Sequence, residues 1–211
     1  MTGKPIRAPR ADALRNRALV LRVAAETFAA EGLSVPVHEI ARRAGVGTGT
    51  VSRHFPTKEA LFAAVLLDRM AWLTERADTL SATADPDVAF FTFFATLIHE
   101  GAGHRGLAES LAGAGFDVES AAVDAGSDVS GRLRTMLEAA QRAGAVRASI
   151  TFADVKALMT GCLAREIDPA DVGARDRVIA VVCDGLREPA GERRCKARVR
   201  AVTGRPPIVG A

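Results

Sequence analysis

The sequence predicts an all-α protein, and three observations predict it. Apolar residues recur at three- and four-residue steps through successive segments, with Ala and Leu dominating them. Tyr is absent and aromatics make up 5% of the chain, too few for a fold built on aromatic cross-strand pairs. Apolar residues make up 48% and charged residues 25%, a globular composition that supplies a core. A length of 211 residues allows one or two domains. About nine helices and no internal repeat are expected.

Residues 1–11 place Lys4, Arg7 and Arg10 among Pro5 and Pro9, the composition of a mobile basic arm. A helix follows from about Asp12 to Glu31, with Val20, Leu21, Ala24, Thr27 and Phe28 on one face. Gly32 supplies a left-handed stop. Pro36 precedes a short helix over Val37 to Ala44, broken at Gly45, and a second short helix fits Thr48 to Phe55. Pro56 ends that helix. Thr57 caps the next, with Glu59 in its first turn, and this helix runs to about Leu80 through Leu61, Val65 and Trp72. Asp85-Pro86 opens a further helix holding Phe90, Phe91, Phe93 and Phe94. Gly101 and Gly103 are expected to break it, leaving a short helix over 105–114. One long helix is expected from Asp117 or Val118 to Ala143, ended by Gly144, and helices over 151–166 and 171–187 complete the set. From Pro189 the chain is charged and aperiodic, which predicts a disordered basic tail over 189–211.

Charge is unevenly spread. Residues 1–60 carry 10 basic and 5 acidic groups, residues 61–186 carry 11 and 18, and residues 187–211 carry 7 and 2. A basic head on an acidic body points to a polyanion met by the head alone. No apolar run reaches the roughly 18–20 residues a bilayer requires, and the N-terminal residues do not read as a secretory signal. Cys162, Cys183 and Cys195 are odd in number and lack CxxC spacing, which fits the cytoplasm better than a disulfide framework. Cys162 and Cys183 read as buried small hydrophobes.

The informative stretch is VHEIARRAGVGTGTVSRHFP, residues 37–56. Ile40, Ala44, Val46 and Val51 are apolar where two short helices must face each other. Ala41 is small where they cross, and Gly45 tolerates a positive φ at the turn. This is the arithmetic of a helix-turn-helix, whose second helix is sized for a DNA major groove. That helix offers Thr48, Thr50, Ser52, Arg53 and His54, with Gly47 and Gly49 leaving the approach clear. Hydroxyls and Arg53 can bond base edges or phosphates. Lys58 lies beside the first amides of the following helix, a place for a phosphate. Arg10, Val37 and Gly49 complete the expected DNA-contacting set. Residues 12–60 are therefore expected to form the DNA-binding domain, with a helical body over 61–188.

The run RALVLRVAAETFAAEGL, followed by HEIARRAGVGTGTVSRHFPTKEALFAAV, resembles the DNA-binding domain of the tetracycline-repressor (TetR) family of bacterial regulators. The resemblance implies a homodimer that binds a palindromic double-stranded operator and represses transcription. It also implies a helical body that holds a small, largely apolar effector and releases DNA when that effector binds. The two reading helices would stand about 34–36 Å apart, one DNA turn. Two positions depart from the family pattern: Ser52 stands where Tyr often meets a phosphate, and Gly47 where Ser often caps the reading helix.

The resemblance further implies an effector pocket, for which Met70, Trp72, Phe90, Phe94, Leu97, His99, Phe116, Met136 and Met159 are the candidates; ordinary core packing is the competing reading. It also implies that the last two helices pair across a two-fold axis through Ala157, Leu158, Gly161, Cys162, Val178, Val181, Val182 and Gly185. No cofactor, metal site or catalytic residue is expected. His99 and His104 are five residues apart and do not share a helix face, unlike the two His of a zinc-protease helix. Gly45-Val-Gly47-Thr-Gly49 lacks the preceding strand of a nucleotide loop. The alternative is a helical ligand-binding protein or enzyme with a hairpin of this shape and no operator.

Overall fold

The structure, a computed structural model, describes residues 9–164, 171 and 173–189, with side chains from residue 12 onward. The described residues form nine helices: α1 Pro9–Glu31, α2 Val37–Arg43, α3 Thr48–His54, α4 Lys58–Thr83, α5 Pro86–Gly113, α6 Val118–Asp124, α7 Val129–Arg142, α8 Phe152–Ala164 and α9 Ala174–Leu186. A lone antiparallel bridge joins Val146 to Arg187. Residues 1–8 of the expected arm over 1–11 and residues 190–211 of the expected tail over 189–211 lie outside the described residues, as do residues 165–170 and 172, while residues 9–11 belong to α1 and not to an arm.

Local signals start and stop most helices as expected. Gly32 and Gly144 follow α1 and α7 with φ of 79° and 73°. Thr57 Oγ1 accepts the Ala60 N–H at 3.1 Å and caps α4. Pro86 is the first residue of α5. Helix α1 starts at Pro9, three residues earlier than expected, because proline suits a first turn whose N–H groups lack partners.

Two further expectations fail at glycine. Gly101 and Gly103 do not break α5, which runs unbroken for 28 residues. A mid-helix glycine costs about 1 kcal/mol against alanine, whereas burying a leucine contributes roughly 1.5–3. Leu107 and Leu111, both 2% exposed, lie beyond the glycines and hold the helix together. The expected single helix from 117 to 143 is instead two, α6 and α7. Gly126 takes φ 81°, its N–H donates to Val123, and the Ser127 N–H donates to Ala122 at 2.7 Å. That paired closure is a Schellman motif, which satisfies the last carbonyls of α6 and turns the chain.

The chain divides into two compact units. The first comprises the residues through Arg76 together with His99–Val129; the second comprises Ala77–Ile98 and the residues from Ser130 on. The core of the first unit joins Val20, Leu21, Ala24 and Phe28 of α1 to Ile40, Ala41 and Val51, and then to Leu61, Phe62, Val65 and Leu66 of α4. Leu107 and Leu111 of α5 close it. Phe28 and Phe62 meet edge to face with centroids 4.9 Å apart, fixing α1 against α4.

The second unit is built around Phe90, Phe93, Phe94, Leu97 and Ile98. Helix α7 presents Leu133, Met136, Leu137 and Ala140 at helical spacing, all buried. The Arg187 guanidinium lies 4.1 Å from the Phe91 centroid, and Arg147 N–H donates to the Leu186 carbonyl at 3.1 Å. Those contacts pin the end of α9. Arg132 reaches Asp78 at 3.1 Å, and Gln141 Nε2 donates to the Arg147 and Ile150 carbonyls.

Candidate nucleic-acid interface

Helix α2 ends in a Schellman turn. Gly45 takes φ 65°, its N–H donates to Arg42 at 3.1 Å, and the Val46 N–H donates to Ala41 at 3.0 Å. No L side chain adopts that φ without strain, so the angle of α3 on α2 depends on this glycine. Val51 of α3 and Ile40 and Ala41 of α2 are each 0% exposed. Their burial fixes which face of α3 looks outward.

That outward face carries Thr48, Gly49, Ser52 and Arg53, all exposed, with Thr50 and His54 half-buried beside them. Gly47 precedes α3 with φ −68° and offers no capping side chain, so the first N–H groups of α3 lack a side-chain acceptor there. Among the described residues, neither Arg53 nor Lys58 is engaged by a carboxylate. Lys58 Nζ lies 5.7 Å from the Phe62 centroid. The face combines short hydroxyls, glycine and unpaired positive charge, a surface suited to close approach by phosphates and base edges.

The other expected DNA residues sit apart from this row. Val37 is half-buried at the start of α2 and packs on the head core. Arg10 lies in the first turn of α1. One basic residue escaped the sequence reading: Arg17 of α1, whose guanidinium carbon is 5.6 Å from the Phe55 centroid. Its signal was available, since it precedes Val20 and Leu21 by three and four residues, a core spacing held by a cation.

The candidate pocket residues divide between the units. Met70, Trp72, His99 and Phe116 belong to the first, and Phe90, Phe94, Leu97, Met136 and Met159 to the second. Trp72 is 38% exposed, with the Arg69 guanidinium 3.9 Å from its ring, and Arg69 also pairs with Glu100. His99 is exposed; the His104 ring lies 3.0 Å from the Glu100 carbonyl through Nδ1. Phe90, Phe94, Leu97 and Met136 are buried and Met159 half-buried. Of the candidate dimer residues, Ala157, Leu158, Gly161, Val181 and Gly185 are exposed, Val178 and Val182 half-buried, and Cys162 buried. Burial raises the thiol pKa of Cys162 and Cys183, keeping both protonated and poorly reactive. Among the described residues, no helix is long and apolar enough to cross a membrane.

Comparison with known proteins places the whole arrangement. The profile of the bacterial regulatory proteins of the tetR family matches residues 20–65, and that of the C-terminal domain of SbtR-like transcriptional regulators matches residues 85–188. No curated protein matches the chain. Among solved structures, the chain is 48% identical to a TetR transcription regulatory protein from Mycobacterium vanbaalenii, with TM-score 0.69 over 85% of this chain and 99% of that one. A TetR transcriptional regulator from Streptomyces coelicolor is 30% identical, with TM-score 0.70 over 82% and 99%. The ketosteroid transcriptional regulator KstR2 of Mycobacterium tuberculosis, at 19% identity and TM-score 0.57 over 82% and 95%, shares the fold. The two profiles and a 48% identical relative matched almost end to end lead to one conclusion: the chain belongs to the TetR family of bacterial regulators, non-enzymatic proteins that bind DNA to control transcription.

Proposed function

We propose that this protein is a homodimeric repressor that binds a palindromic operator through α3 and releases it when a small, largely apolar effector binds. The observation that carries the reading is the outward face of α3. Thr48, Thr50, Ser52 and Arg53 read base edges and phosphates, Gly49 lets the backbone approach, and His54 and Lys58 meet phosphates at its margin. Arg10, in the first turn of α1, is a further basic residue of this proposed surface, and Val37 packs on the head core. Dimerisation is supported by the exposed apolar side chains of Leu158 and Val181, 37% and 72% accessible on α8 and α9. Beside them, Ala157, Gly161 and Gly185 allow close approach of a second copy. The effector reading draws on Phe90, Phe94, Leu97, Met136 and Met159, an apolar set on α5, α7 and α8. The site of action is the cytoplasm, where the operator lies.

The test is selection of bound duplexes from a random-sequence pool, followed by gel shift. The expected product is a two-fold symmetric sequence with half-sites about one DNA turn apart, roughly 34–36 Å. Enrichment of no sequence, or of an asymmetric one, would overturn the operator assignment. Small apolar compounds that raise the melting temperature are then expected to release that operator; release by none of them overturns the effector assignment.

A further inference from the structure

The described basic side chains of the head, the histidines aside, fall into two groups. Arg15 pairs with Asp12, Arg42 with Glu39, and Arg43 with both Glu31 and Glu39. Arg17, Arg22, Arg53 and Lys58 form no ion pair among the described residues. Arg53 and Lys58 already belong to the α3 surface. At about 100° per residue, Arg22 lies about 140° around α1 from Arg17, away from the buried stripe. Arg17 is different. On the same count, Leu21, Ala24 and Phe28 all fall within about 40° of it, so it stands on the midline of the stripe that α1 buries.

Its side chain is nevertheless exposed, and its guanidinium lies over the Phe55 ring at 5.6 Å. Phe55 is the residue that closes α3: its N–H donates to the Val51 carbonyl at 2.8 Å, and its side chain is 4% exposed. The Phe55 ring lies 6.1 Å from that of His54, the last residue of α3. A buried aromatic face therefore holds the Arg17 charge at the C-terminal end of the reading helix. Lys58 rests in the same way over Phe62. A guanidinium over a ring keeps its in-plane N–H donors for an oxygen ligand, and that fork matches a phosphate.

We propose that Arg17 is a phosphate anchor of the DNA interface, contributing a sequence-independent contact from α1 at the end of α3. The inference rests on the reading of α3 as the DNA-contacting helix. Arg17 touches backbone phosphate, so its loss weakens all duplexes alike and leaves base preference unchanged.

The experiment compares the wild-type protein with Arg17→Ala and Arg17→Lys on the selected operator and on a mixed-sequence duplex of about three turns, roughly 30 base pairs. Affinity is measured from about 50 to 200 mM salt. For Arg17→Ala the slope of log K against log salt is expected to fall in magnitude by about 0.9 on both duplexes. Across that fourfold rise in salt the wild type then loses roughly 3.5-fold more affinity than the variant. Arg17→Lys is expected to restore the slope. Should Arg17→Ala unfold the head, Arg17→Gln keeps the length without the charge and is read the same way. A neutral variant with the wild-type slope overturns the anchor, even if its melting temperature falls. A wild-type protein whose affinity ignores both salt and sequence instead overturns the reading of α3 itself.

Discussion

The guanidinium of Arg43 ties α2 to the last residue of α1: its Nη2 donates to Glu31 Oε2 at 3.0 Å while its Nε donates to Glu39 at 2.7 Å. Arg42 closes on Glu39 from the neighbouring position, also at 2.7 Å. Arg43 is therefore spent on holding the helix-turn-helix against α1, and Arg42 on an ion pair within α2. They leave the reading surface to the cations that have no such partner. The hydrogen bonds from Arg42, and then Arg43, hold the Glu39 carboxyl down to about 2, and the Arg43 hydrogen bond lowers that of Glu31.

Acid should loosen this link in a defined window. A carboxyl lowered in the folded state stabilises fully above its unfolded value, here 4.5, and the contribution is lost as pH falls toward about 2. Glu39→Gln should therefore melt below the wild type at neutral pH and approach it near the acid end. Because the groups are exposed, the gap should also shrink in high salt. Thermal unfolding over a pH series at low and high salt measures both. A gap as wide in acid as at neutral pH would contradict the assignment.

Two glycine-to-alanine changes should move stability in opposite directions. Gly45 holds φ 65°, so Gly45→Ala should cost about 1–2 kcal/mol and weaken DNA binding by tilting α3. Gly103 lies inside α5 with open space where a Cβ would stand, so Gly103→Ala should stabilise by up to about 1 kcal/mol. Urea unfolding of the two variants checks the pair, and equal signs would refute the account.

The same contrast explains what the sequence could reveal. Gly45, Pro56 and Thr57 act through their own backbone and immediate neighbours, so the turn, the end of α3 and the cap of α4 were legible one residue at a time. The outward row from Thr48 to Arg53 was legible for the same reason, because Val51 fixes its face. Gly101 and Gly126 were not. Whether a glycine ends a helix depends on whether distant residues such as Leu107 and Leu111 find a core, and that core is made with α1 and α4. The spacing of Arg17 put it on the buried face of α1, but its partner was not legible, because Phe55 lies far along the chain at the end of α3. Leu158 and Val181 entered the expected partner-facing set through the family resemblance alone, since spacing does not say which face of a helix a neighbour covers.

Base reading and phosphate contact should separate in two variants. Arg53→Ala should reduce discrimination at one operator position by about 1–3 kcal/mol, the range of a good arginine-to-guanine pair, while mixed-sequence duplexes are less affected. Lys58→Ala should weaken operator and mixed duplexes to the same degree and lower the salt slope by about 0.9. Binding titrations on the operator and on single-base variants of it distinguish the two. Identical profiles for both variants would show that Arg53 also touches only phosphate.

Assembly should fail when charge is placed on the exposed face of α9. Val181 is 72% accessible in the single chain, so Val181→Asp should leave the fold and its circular dichroism intact. In a two-fold interface the same residue comes from both copies, so one substitution buries two unpaired carboxylates. An uncompensated buried charge costs about 3–5 kcal/mol, enough to dissociate a dimer of ordinary strength. Sedimentation equilibrium should then report a monomer, and operator affinity should fall because the half-sites no longer act through one molecule. Val88 of α5 is also exposed, at 51%, and Val88→Asp serves as the control that should change neither. A Val181→Asp protein that remains dimeric would move the interface away from this face of α9.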